Sequence, residues 1–159
     1  MSYKKLSFVI PCYKSAGTIK KVTDEIISVM RSDQEFEIIL VYDGSPDNTF
    51  QVIKELCRED GRITGVEFSK NFGQHAAVMA GLKISDGDII ICLDDDGQTP
   101  ADQCQRLIAK LEEGYDAVYA SYTYKHKSFF RNFGTLMNDK MACSMLGKRK
   151  NLEATSYFA

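Results

Sequence analysis

The sequence lacks an excess of either charge. Twenty basic residues stand against 22 acidic ones, for a net charge of −2, so there is no global electrostatic pull toward nucleic acid. It also lacks an apolar run near the ~20 residues of a membrane-spanning helix, and no signal peptide is expected at its start. Paired cysteines are missing too. Cys12, Cys57, Cys92, Cys104 and Cys143 are odd in number and show no close spacing, as expected of reduced cytosolic thiols that mainly pack. No internal repeat, low-complexity segment or linker interrupts the chain. What remains is 159 residues, 44% hydrophobic and 26% charged, enough for a soluble globular domain with its own core.

Apolar strands alternate with helical patterns. KLSFVIP (5–11) reads as a strand, and Ile19, Val22, Ile26 and Val29 or Met30 recur at helical spacing between 17 and 31. FEIILVY (36–42) is near-continuously apolar, like a strand covered on both faces. Ser45 and Pro46 suit a helix cap and first turn, with Phe50, Ile53 and Leu56 on the buried face. ITGVEFS (63–69) predicts a third strand and 74–84 a helix with many small residues. DIIICL (88–93) predicts a fourth strand, Pro100 a further helix containing Leu107, Ile108 and Leu111, and AVYAS (117–121) a fifth strand. The expected fold class is α/β with a mostly parallel sheet flanked by helices. In such sheets ligands sit beyond the carboxyl ends of the strands. That rule gathers Cys12–Tyr13, Asp43–Gly44, Lys70–Gly73 and Asp94–Gln98 along one expected crevice.

The densest of these segments is DIIICLDDDGQTP (88–100), in which three aspartates follow a buried strand. Two unit charges about 4 Å apart repel by roughly 4 kcal/mol at an effective dielectric near 20, so something must offset the repulsion. If the backbone stays extended, Asp94 and Asp96 converge while Asp95 faces away. Two convergent carboxylates with the Gln98 amide oxygen suit a hard divalent cation. The alternative is a solvated acidic turn, with Gly97 at positive φ.

Asp43 ends a buried strand, where an unpaired carboxylate is costly. Either a nucleobase N–H satisfies it, or it forms an Asx turn ahead of the helix. Pro11 and Tyr13 could frame a flat base, or form an ordinary strand-to-helix turn. Lys70 and Gly73 precede a helix N-terminus suited to an anion such as a diphosphate. His75, one of two histidines, reads more readily as a polar group of that helix than as a catalyst.

In this order the four motifs resemble family 2 glycosyltransferases of the GT-A fold, on the branch of dolichol-phosphate mannose synthase and bacterial polyprenyl-phosphate glycosyltransferases. SFVIPCYKS is similar to that family's opening strand, VYDGSPDNT to its VDDGSxDxT, and DDDGQTPAD to its metal-binding DADLQxPPE. SKNFGQHAAVMAGL resembles a segment typical of the polyprenyl-phosphate branch. The resemblance implies one GT-A-like domain over 1–159, with a nucleotide-sugar-binding part (1–121) and the start of an acceptor-side part (122–159). It implies that Pro11, Tyr13 and Asp43 hold the base, that Lys70 and Gly73 lie near the diphosphate, and that Asp94 and Asp95 belong to the nucleotide site. Asp94, Asp96 and Gln98 would hold Mg2+ or Mn2+. The chain departs from the family at Lys14 and Ser15 (usually Asn and Glu), at Tyr42 (usually Asp), at Gly97 (usually apolar) and at Tyr122 (often Arg).

The implied activity is inverting transfer of a sugar from a nucleoside-diphosphate donor to a polyprenyl phosphate or a growing glycan. No general base is assigned; Asp139 and Glu153 are candidates by location, with surface charge as their plainer role. Lys127 and Arg131, in the aromatic-basic segment 121–150, would meet an acceptor phosphate at a membrane surface, or else form the solvated ends of an amphipathic core helix. The expected location is the cytoplasm, with membrane-surface contact at its inner face and a homo-oligomer left open. The chain stops at EATSYFA, mid-domain for this family, so a truncated piece or an isolated donor-binding half is expected. Two alternatives stand beside this reading. LDDDGQT superficially resembles the D-x-D-G-T element of haloacid-dehalogenase-type phosphatases, although that element normally follows the first strand and Gln98 holds its threonine position. The other is a fragment that binds a sugar nucleotide without turning it over.

Overall fold

The computed structural model describes residues 5–97, 103–120 and 157–159. By contacts the chain divides into two units, Met1–Tyr119 with Ser156–Ala159 and Ala120–Thr155; the first is described here. Its elements run β1 (Lys5–Cys12), α1 (Ile19–Val29), β2 (Glu35–Tyr42), α2 (Thr49–Glu59), β3 (Ile63–Glu67), α3 (Gln74–Ile84), β4 (Ile89–Cys92) and α4 (Cys104–Glu112). The strands form one sheet in the order β3-β2-β1-β4, with every pairing parallel.

The burial of each strand follows from its place. β1 lies between two neighbours and is buried from Leu6 to Cys12, whereas edge strand β3 buries only Ile63 fully. Alternation divides the side chains between two layers. On one face Val9, Ile39, Val41 and Cys92 pack against Ala77 of α3. On the other, the rings of Tyr42 and of Phe50 in α2 lie 5.1 Å apart. Each fully buried Val, Leu or Ile contributes about 1.5–3 kcal/mol relative to exposure. The small residues of α3 have a specific use here, because a Cβ on Gly81 would come within 2.3 Å of Val9 Cγ1. The helix therefore lies close against β1 and carries its N-terminus to the end of the sheet.

Several boundaries differ from the sequence reading. Ser45 does not cap α2, which begins at Thr49. Its hydroxyl is already engaged: it accepts the Lys14 N–H at 2.8 Å and donates to Asp47. Asp47 serves the helix start instead, accepting the Thr49 N–H at 3.2 Å. β3 stops at Glu67 rather than at residue 69, and β4 spans 89–92 rather than 88–93. In place of a fifth strand over 117–121, the described residues show an isolated antiparallel bridge between Tyr119 and Phe158. Phe158 also bridges Cys92, so the chain's last residues pair antiparallel beside β4. The helix predicted around Leu107, Ile108 and Leu111 is α4, with Leu107 and Leu111 buried; only its predicted opening at Pro100 lies outside the described residues, as do Cys143 and the segment around Lys127 and Arg131. Among the described residues no helix is long and apolar enough to cross a membrane.

Candidate functional site

The ends of all four strands meet at one cleft of about 460 Å³, lined by Pro11, Cys12, Tyr13, Asp43, Asn71, Gly73, Gln74, Asp94, Asp95 and Asp96. Of the residues singled out in the sequence, Pro11, Tyr13, Asp43, Gly73, Asp94, Asp95 and Asp96 are thus brought together. Lys70 is not among the described residues that line the cleft; it is exposed, with Nζ 5.2 Å from the Phe72 ring centre. Gln98, Lys127, Arg131, Asp139, Glu153 and Tyr122 lie outside the described residues.

Asp43 is 3% exposed, and the burial cost of its carboxylate is met inside the protein. One oxygen accepts the Phe72 N–H at 2.7 Å and the other the Gly73 N–H at 3.0 Å. The Asn71 side chain donates to the Asp43 carbonyl at 3.0 Å. Next to it, Gly44 has φ +59°, and a Cβ there would lie 2.3 Å from the Lys70 carbonyl carbon. The β2–α2 and β3–α3 loops therefore touch backbone to backbone, which only glycine allows at this position. Gly73 has φ +91° and forms the N-cap of α3 with no side-chain cap. The first-turn N–H groups of that helix, with its positive dipole end, accordingly stand at the cleft.

The three aspartates do not follow the alternation of an extended strand. β4 ends at Cys92 and the chain turns at Asp95 and Asp96, reaching φ +69° at Gly97. The carboxylates therefore take separate partners. Asp94 accepts the Gln74 side-chain N–H at 3.1 Å. Asp95 Oδ2 accepts the Tyr13 N–H at 2.9 Å and the Ser15 hydroxyl. Asp96 is exposed. These hydrogen bonds offset part of the mutual repulsion.

No group of three ligating side chains is present among the described residues. The donor chemistry still suits a hard cation. Asp94 and Asp96 offer carboxylate oxygens to one cleft, and magnesium and manganese favour such ligands while taking further oxygens from water or phosphate.

Cys12 also lines the cleft, but its thiol is buried and donates to the Ile10 carbonyl at 3.3 Å; burial pushes its pKa well up and the Asp95 carboxylate adds to the shift. It therefore stays protonated and acts as a packing group. Asp47 anchors the neighbouring loops. Burial alone would raise its carboxyl, but hydrogen bonds from Ser45 and Thr49 outweigh this and lower it to about 2.

Sequence reasoning missed Asn71, Gln74 and Ser15. Their short-range context is that of ordinary loop and helix-start residues, and only contacts to Asp43, Asp94 and Asp95 reveal their use. Tyr42, where the resemblance implies an aspartate, donates its hydroxyl to the Ser45 carbonyl and so braces the β2–α2 turn.

Comparison with known proteins bears on the family and the fold. The undecaprenyl-phosphate 4-deoxy-4-formamido-L-arabinose transferase of Proteus mirabilis (strain HI4320) is 37% identical over 146 residues, covering 91% of this chain and 45% of that protein. This chain thus spans less than half of that relative. Glucosyl-3-phosphoglycerate synthase from Mycobacterium tuberculosis, solved with UDP, superposes with a TM-score of 0.71 at 18% identity, over 98% of this chain and 56% of that one. A mannosyltransferase from Pyrobaculum calidifontis, solved with GDP-Man and Mn2+, gives a TM-score of 0.63 at 20% identity, over 76% of this chain and 36% of that one. At these identities the two structures establish a shared GT-A fold. Residues 7–157 match the family described as Glycosyl transferase family 2, and the chain belongs to that family.

Proposed function

We propose that this chain forms the nucleotide-sugar-binding part of a metal-dependent, inverting glycosyltransferase whose acceptor is a polyprenyl phosphate or a growing glycan. The observation that carries this reading is the convergence of four strand-end motifs, far apart in sequence, on one cleft. Tyr13, 45% exposed at the rim, and Pro11 would frame the base. Asp43 would accept a base N–H with a remaining lone pair. Gly73 and the start of α3 would receive the diphosphate, with Lys70 at the loop's outer side.

Charge argues for a cation. Four carboxylates (Asp43, Asp94, Asp95 and Asp96) line the cleft, and a diphosphate would be repelled without a positive bridge. Asp94 and Asp96, with Gln98, would hold Mg2+ or Mn2+, which as a Lewis acid would stabilise the departing diphosphate. The acceptor oxygen would attack the anomeric carbon from the side opposite the diphosphate. As the new C–O bond forms, the old one breaks and its electron pair leaves on the β-phosphate oxygen. A lipid phosphate, already anionic, needs no strong base for this step, whereas a sugar hydroxyl would need one. The named acceptor class of the Proteus relative supports a lipid phosphate.

Membership of family 2 removes the phosphatase alternative, and the aspartates follow β4 rather than β1. The test is a calorimetric screen of UDP, GDP, CDP and dTDP, each with manganese or magnesium. Metal-dependent binding of one nucleotide is expected, and binding of none would overturn the reading. Assaying transfer from the matching donor then separates a transferase from a fragment that only binds.

A further inference from the structure

Residues 13–16 connect β1 to α1 and present Tyr13 to the cleft. Four successive backbone N–H groups of this loop are donated to side chains from elsewhere. Tyr13 donates to Asp95 at 2.9 Å, Lys14 to Ser45 at 2.8 Å, Ser15 to Thr49 at 2.8 Å and Ala16 to Asp47 at 3.4 Å. The loop makes little regular structure of its own, and Lys14 takes φ +60°, a region that residues other than glycine seldom occupy. Its shape is therefore imposed from outside.

Three of the anchors come from the β2–α2 segment and form one connected unit. Ser45 and Thr49 both donate to Asp47 Oδ1. Asp95 alone among the four belongs to the acidic turn after β4. It engages the loop twice through one oxygen, at the Tyr13 N–H and at the Ser15 hydroxyl, and Ser15 is 2% exposed. The oxygen committed to these two contacts is poorly placed to serve as a ligand as well.

We propose that Asp95 is a positioning residue. Its carboxylate latches the acidic turn to the Tyr13–Ala16 loop, so that the base-framing Tyr13 is held in register with the carboxylates Asp94 and Asp96. This deepens the proposed function and rests on the cleft taking a nucleotide. The latch acts by accepting hydrogen bonds, so an uncharged acceptor should preserve most of it. A ligand for a cation would instead depend on the charge.

The test compares the full chain with Asp95→Asn, Asp95→Ala and Ser15→Ala. Two quantities are read: amide hydrogen exchange at Tyr13 without ligand, and affinity for UDP and for GDP with manganese. Asn retains an oxygen for the Tyr13 N–H, so Asp95→Asn should keep that amide protected and bind within about 3-fold of wild type, a loss smaller than one hydrogen bond. Asp95→Ala should expose the amide and weaken binding by about 10-fold or more, the scale of one or two hydrogen bonds. Binding as weak in Asp95→Asn as in Asp95→Ala would show that charge matters and overturn the latch. So would Tyr13 exchange in Asp95→Ala as slow as in wild type. If Asp95→Ala does not fold, Ser15→Ala decides. It removes one of the two donors, and unchanged exchange together with unchanged affinity would overturn the proposal. Wild type that binds none of UDP, GDP, CDP and dTDP would overturn the nucleotide reading itself, while the Tyr13 amide would still judge the latch.

Discussion

The Asp43 carboxylate holds the backbone of Gly73 at 3.0 Å and, through its other oxygen, that of Phe72 at 2.7 Å. One buried side chain at the end of β2 thereby fixes the loop that leads into α3. Asp43→Ala should weaken nucleotide binding by about 1.5–3 kcal/mol, the scale of a hydrogen bond to a charged group. It should also lower fold stability by about 1–3 kcal/mol, because two partly buried N–H groups lose their acceptor. Calorimetric titration and urea unfolding measure the two effects. Unchanged affinity would leave Asp43 with the loop alone.

Gly44 offers a purely steric test of the same contact. Its φ of +59° and the 2.3 Å approach of a would-be Cβ to the Lys70 carbonyl carbon both forbid a side chain. Gly44→Ala should cost about 1–3 kcal/mol, as strained backbone positions do, and should weaken nucleotide binding as the loop moves. Gly17, with nothing within 4 Å of its would-be Cβ, is the control, and Gly17→Ala should stay within about 0.5 kcal/mol of wild type. Equal urea midpoints for the two variants would contradict the clamp.

Acid should loosen the loops that carry Tyr13. The Asp47 carboxyl is lowered from 3.8 to about 2 in the fold, because the Ser45 and Thr49 hydrogen bonds outweigh its burial. A lowered carboxyl stabilises the fold above its unfolded value, and that contribution is lost as pH falls through the folded one. Stability should therefore decline between pH 3.8 and about 2, modestly, because Asp47 is exposed and solvent screens it. Asp33 and Asp60, each lowered chiefly by hydrogen bonding to a neighbouring arginine, decline in similar conditions. The informative quantity is thus the difference between wild type and Asp47→Asn in pH-dependent urea melts. Parallel curves would contradict the assignment.

Much of this arrangement was legible in the sequence because it depends on short-range patterns. The 74–84 helix has the expected bounds, and the strand-end rule gathered Cys12, Tyr13, Asp43, Gly73 and the aspartates from four separate segments. The orientation of Asp95 was only partly legible. Alternation turned it away from Asp94 and Asp96, but that rule assumes extended backbone, and the chain turns at Asp95. Its partners at Tyr13 and Ser15 lie some 80 residues away, where no local periodicity reaches. Ser45 was misread for a related reason. A serine before a helix looks like a cap until a distant N–H, here that of Lys14, claims its hydroxyl.

A thermal melt tests the proposal that Asp94 and Asp96 share a cation with a donor diphosphate. Metal and nucleotide together should stabilise wild type more than the sum of their separate effects, since each supplies ligands for the other. At about 100 times the dissociation constant the stabilisation should be ~2.7 kcal/mol, on the order of 5–10 °C in Tm for a chain of this size. Asp96→Asn removes charge but little volume, so its unliganded Tm should match or slightly exceed that of wild type. Its joint shift should vanish. A joint shift in Asp96→Asn equal to that of wild type would show that Asp96 holds no cation shared with the diphosphate.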